Sequence, residues 1–138
     1  MAVDAGLGAI ALLVGRILFG GVLAFQGLNH FLNLDEMAGY AEFKGIPAPR
    51  AGVVISGLVL LLGGLGIVLG VFPALAAALL AGFFLVVTPT MHAFWAVPED
   101  QQQDEMVQFL KNAELLGASL LFLALGTEPW AYAVGLGL

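Results

Sequence analysis

Apolar runs about as long as a bilayer is thick restrict this chain more than any other feature. A hydrocarbon core of about 30 Å is crossed by roughly 20 residues of helix. Residues 7–31, 51–72 and 73–96 meet that length, and residues 106–125 form a fourth, more polar candidate that opens with Gln108, Lys111 and Asn112. Backbone within lipid must satisfy its own N–H and C=O groups, so these runs read as helices and not as open strands. The expected architecture is all-α: one polytopic membrane domain of four transmembrane helices in a bundle, with no soluble catalytic domain attached. Composition agrees, because only 10% of the residues are charged, whereas soluble domains carry about 25%. The first run has no basic residue before it, exceeds a signal-peptide core, and contains Arg16 and Gln26. It is expected to be a retained helix.

The tight turn at Phe72-Pro73 makes spans two and three an antiparallel hairpin. Longer connections join spans one and two, and spans three and four, so these loops share one side and the termini the other. In the first loop, Leu34, Met37, Ala38 and Ala41 recur at helical spacing, with Asn33 and Glu36 as a cap pair. A short amphipathic helix is expected there, broken by Gly45-Ile46-Pro47-Ala48-Pro49. The second loop, residues 98–105, places acids before span four, where the helix dipole favours them. Beyond Gly126, Trp130 and Tyr132 are expected at headgroup depth. Lys44, Arg50 and Lys111 lie on the loop side, with Arg16 towards the other. The positive-inside bias leans towards cytoplasmic loops without fixing the orientation.

Several chemistries are excluded. The chain has no cysteine, which removes disulfides, thiolate metal sites and iron–sulfur clusters. Its net charge of −6 disfavours nucleic acid, which is held by clustered Lys and Arg. Nothing resembles a phosphate-binding loop, a dinucleotide-binding glycine motif or a nucleophile elbow.

Polar side chains at membrane depth are costly and mark functional candidates. Span one carries Arg16, Gln26, Asn29 and His30; span three ends in Thr88, His92 and Trp95; span four offers Lys111, Asn112, Glu114 and Ser119. Counting along the helices gathers Gln26, Asn29, His30, His92, Trp95, Asn112 and Glu114 near the loop-side surface. Arg16 lies roughly 21 Å from His30 along the axis. Histidine titrates near neutrality, so His30 and His92 are the candidates for proton exchange with a redox ligand. Gln26, Asn29, Asn112 and Glu114 would orient it, and Trp95 would wall it. The alternatives are structural: histidines bonded to loop carbonyls, Arg16 snorkelling to headgroups or meeting an interior anion or carbonyl, and Glu114 paired with Lys111 or protonated. Gly63, Gly66 and Gly70 permit close helix packing, and Pro89 is expected to kink span three. Haem held between two histidines is disfavoured by their helix-end positions, and no metal site is assigned.

The stretches Gly15-Arg16-Ile17-Leu18-Phe19-Gly20, Gly27-Leu28-Asn29-His30-Phe31, Leu61-Leu62-Gly63-Gly64, His92-Ala93-Phe94-Trp95 and residues 108–117 occur in an order that resembles the DoxX family. The resemblance implies a four-helix integral protein of the cell membrane. It also implies association with quinone-linked oxidoreductases, since some relatives are subunits of a thiosulfate:quinone oxidoreductase or accompany quinol oxidases. Two positions depart from the family: His30 stands where Lys is frequent, and Leu60 where Glu commonly precedes the Leu-Leu-Gly-Gly stretch. Glu114 is expected to restore that charge from a facing helix. The leading expectation is a quinone-associated subunit supplied with electrons by a redox partner protein. A non-catalytic scaffold, homo-oligomeric through its glycine faces, is the alternative. A small oligomeric transporter lined by Arg16 and Glu114 is the third.

Overall fold

The computed structural model describes residues 5–137. Helix α1 runs Gly6–Leu32, α2 Leu34–Phe43, α3 Pro49–Leu69, α4 Pro73–Met91 and α5 Glu99–Leu125, with one 3-10 turn at Phe94–Ala96. Four of these segments, α1, α3, α4 with its 3-10 turn, and α5, are long and apolar enough to cross a membrane. The expected all-α, four-span architecture is therefore present, with α2 as its short amphipathic segment.

Local chemistry explains most boundaries. Proline opens both α3 and α4, a position where its missing N–H removes no helical hydrogen bond. Only Asn33 separates α1 from α2, and it does not form the expected cap with Glu36. Its amide instead donates back to the Asn29 carbonyl and side-chain oxygen, at 3.2 and 2.7 Å. The second loop differs more. It is largely helix, because α5 starts at Glu99 directly after Pro98, with Glu99 and Asp100 in its dipole-favoured first turn.

Small residues bring α1 and α3 together. A Cβ on Gly64 would strike the Gly20 carbonyl oxygen, and one on Gly27 would lie 2.5 Å from the Leu61 nitrogen. Gly63 and Gly66 face α4, against Leu80 and Ala76. The glycine faces are thus used inside the chain. Leu23, Leu60, Ile67, Ala77, Leu80 and Phe84 form the buried centre. Helix α5 packs on α4, and Phe19 of α1 meets Phe122 of α5 with ring centroids 5.0 Å apart.

After α5 the chain folds back over the α3–α4 turn. Val134 and Gly135 donate backbone N–H groups to Leu69 and Gly70, and Phe72 donates to Leu136. Tyr132 is exposed, whereas Trp130 is half-buried and donates its indole N–H to the Leu125 carbonyl at 2.9 Å.

Candidate functional site

On the loop side, α2 lies across α3 and borders a cavity of about 740 Å³, open on one side, between α1, α3 and α4. Its walls are mainly apolar, including Met37, Ile46, Val53, Phe83 and Val86. Polar groups are few: His30, Glu36, Tyr40, Ser56 and Thr90. The Thr90 hydroxyl already donates to the Val86 carbonyl at 2.8 Å. His30 is defined by its partner, since Nδ1 lies 2.8 Å from the Gln26 carbonyl oxygen. A carbonyl only accepts, so Nδ1 carries the hydrogen. In the neutral ring Nε2 then holds the lone pair.

The other residues singled out in the sequence do not line this cavity. Helix α1 turns Gly20, Leu23, Ala24 and Gly27 towards α3. Gln26 and Asn29, one and two steps of about 100° from Gly27, are exposed. Trp95 is exposed and joins Phe94 and Phe109 in an edge-to-face cluster. Asn112 is buried on the inner face of α5. Glu114 lies on the opposite, exposed face of the same helix. Leu60, 2% exposed, is packed beside Gly27. Glu114 does not face it, so the expected transfer of charge between these two positions is not what the fold provides.

His92 belongs to a separate cluster that includes two residues the sequence reading left out. Its Nδ1 donates to Glu105 Oε2 at 2.9 Å, while Lys44 Nζ donates to Glu105 Oε1 at 2.9 Å. One carboxylate thereby ties the end of α2 to the end of α4 and the start of α5. The available signal was phase: extending the inward face of Asn112 back seven residues reaches Glu105. Burial alone would lower the Lys44 pKa. The hydrogen bond to Glu105 and the neighbouring Tyr40 outweigh it, and the ammonium is held above its ordinary value. The folded state binds this proton more tightly, so the stabilisation is complete below the ordinary lysine value of 10.5 and disappears as pH climbs through the raised one. Glu105→Gln is expected to cost about 1–3 kcal/mol, between an exposed and a buried ion pair. The gap from wild type should narrow at strongly alkaline pH in detergent melting experiments, leaving only what the His92 bond contributes. A gap constant across that range would remove Lys44 from the account.

Arg16 is wholly buried. Nε donates to the Ile67 carbonyl at 3.1 Å, Nη1 to Ala131 at 2.9 Å, and Nη2 to Val68 at 2.6 Å and Tyr132 at 3.1 Å. Its guanidinium carbon lies 5.2 Å from the Trp130 ring centroid. Of the readings open in the sequence, interior carbonyl contact is the one the fold displays. Among the described residues no group of three His, Asp or Glu is placed to hold a metal ion.

Four apolar spans, an arginine buried between the first of them, the end of α3 and the tail, and an amphipathic helix bordering an apolar cavity define a small polytopic protein integral to the membrane. The chain belongs to the DoxX family, whose model matches residues 11–93. It is similar to the inner membrane protein YphA of Escherichia coli (strain K12), with 26% identity over 117 residues, covering 85% of this chain and 84% of that protein. No solved structure matches.

Proposed function

We propose that the protein binds a quinone in the cavity beneath α2 and acts as the membrane subunit of an oxidoreductase system. The reading rests on one observation above all: an apolar cavity of about 740 Å³ with a histidine on its wall whose Nε2 is uncommitted. Small-molecule sites typically measure about 300–1,000 Å³ and combine apolar walls with a few orienting polar groups. A lipid-soluble ring suits such walls. Neutral His30 offers Nε2 as acceptor to the hydroxyl of the reduced ring, and the protonated imidazole offers a donor to the carbonyl of the oxidised one. Ser56 and Tyr40 supply further hydroxyls. Bound quinone would supply the two-electron chemistry. With no cysteine in the chain, the electrons are assigned to a partner protein or a soluble reductant.

Calorimetric titration of the detergent-solubilised protein with a short-chain quinol analogue tests the proposal. His30→Leu is expected to weaken binding about ten-fold, equivalent to about 1.4 kcal/mol. Ser56→Phe, which projects a bulky ring into the cavity beside His30, should weaken it further, whereas Leu62→Phe on the outer face should leave it unchanged. Equal affinity in all three variants would reject the cavity as the quinone site.

A further inference from the structure

We infer that the outward face of α5 is a homodimer interface, closed by reciprocal ion pairs between Lys111 of each copy and Glu114 of the other. Helix α5 is the least covered span: 11% of its most apolar window is buried, against 28–39% in the others. Its inner face carries Asn112 and Ser119. At about 100° per residue Glu114 lies roughly opposite them, in line with Val107, Leu110 and Leu121. Leu110 and Leu121 are exposed, as are Lys111, Glu114 and Gly117. Gly117 would allow a neighbouring helix close approach, since a Cβ there meets nothing within 4 Å.

Depth makes Glu114 the decisive residue. Gly126 abuts Ala74, so in this antiparallel pair the end of α4 at Met91 is level with about residue 109. The edge-to-face contact of Phe94 with Phe109, ring centroids 5.4 Å apart, agrees. Glu114 lies five positions further in, roughly 7–8 Å below that level. Lys111 is near enough to the surface to snorkel, but the shorter carboxylate is not, and a charge facing hydrocarbon is costly. A second copy resolves this. In a two-fold interface the same patch meets itself, and a rotation axis along the membrane normal keeps equivalent residues level. Lys111 and Glu114 differ by roughly 4.5 Å in depth, which a lysine side chain spans. Each copy then supplies one cation and one anion, and both pairs form at once.

The test uses the absence of native cysteine. Single-cysteine variants Leu121→Cys on α5, Leu85→Cys on α4 and Leu62→Cys on α3 all place the thiol on exposed positions. Oxidation in native membranes is expected to give a disulfide-linked dimer from Leu121→Cys at least ten-fold above the other two. Adding Glu114→Lys or Lys111→Glu singly should remove the dimer. The double exchange, Lys111→Glu with Glu114→Lys, should restore it because the pair is self-complementary. Circular dichroism of each solubilised variant checks that the helices persist. Equal cross-linking at the three positions, failure of the folded double exchange to restore the dimer, or a cross-link at Leu121→Cys only to a polypeptide of another mass would each overturn the inference.

Discussion

Replacing Arg16 with methionine is expected to detach the C-terminal tail and cost about 2–6 kcal/mol, from four hydrogen bonds that each contribute about 0.6–1.5 kcal/mol. Two of its acceptors, Ile67 and Val68, lie near the end of α3, where helical carbonyls lack partners further along the chain. The other two, Ala131 and Tyr132, belong to the tail. One planar guanidinium therefore joins a helix terminus to a segment more than sixty residues later. Methionine retains much of the volume but leaves these acceptors without it. Arg16→Lys should recover only part of the loss, because three ammonium donors cannot reproduce the fork. Trp130 stacks beside the guanidinium, so its fluorescence in a Trp95→Phe background reports the release directly. Melting unchanged from wild type, with the tail still resistant to protease, would contradict this role.

Gly64→Leu is expected to have a still larger effect and prevent α1 and α3 from docking. The new Cβ would collide with the Gly20 carbonyl oxygen and approach the Ala24 nitrogen to 2.7 Å. Both obstacles are backbone, which cannot rotate aside, so the helices must separate. Overpacking a well-filled core costs about 1–3 kcal/mol even where side chains can adjust; here the loss should exceed that and appear as an absence of monodisperse protein. Gly27→Leu should behave alike. Gly21→Ala and Gly82→Ala are the controls, since neither Cβ would meet an atom within 4 Å. They should be neutral, or more stable by about 0.5–1 kcal/mol from improved helix propensity. Comparable yields from both sets would contradict the close-packed glycine interface.

The polar residues were legible as a group but not as a site. Counting along helices places His30 and His92 near the same membrane surface. It cannot state that His30 borders the cavity beside α2 while His92 turns to Glu105. Glu105 itself was hidden by its neighbours. Within the run Glu99-Asp100-Gln101-Gln102-Gln103-Asp104-Glu105 it looks like one more solvated acid, yet its side chain is only 13% exposed. What distinguishes it is the helix continuing back through that run, together with the approach of Lys44 from another loop. Glu114 shows the converse. Its membrane depth follows from its place in the span, but its outward direction emerges only once α4 has claimed the other side of α5.

The sequence alone determined that this chain spans a membrane four times and carries an amphipathic segment after the first span. These are local matters of length, hydropathy and backbone satisfaction, each decided within about twenty residues. Tertiary structure decided which glycines touch, where Arg16 spends its donors, and which histidine faces a cavity. Those outcomes depend on helix rotation and pairing among segments up to 116 residues apart. One helix can present the same polar side chain to lipid, protein or a cavity without any change in its own sequence.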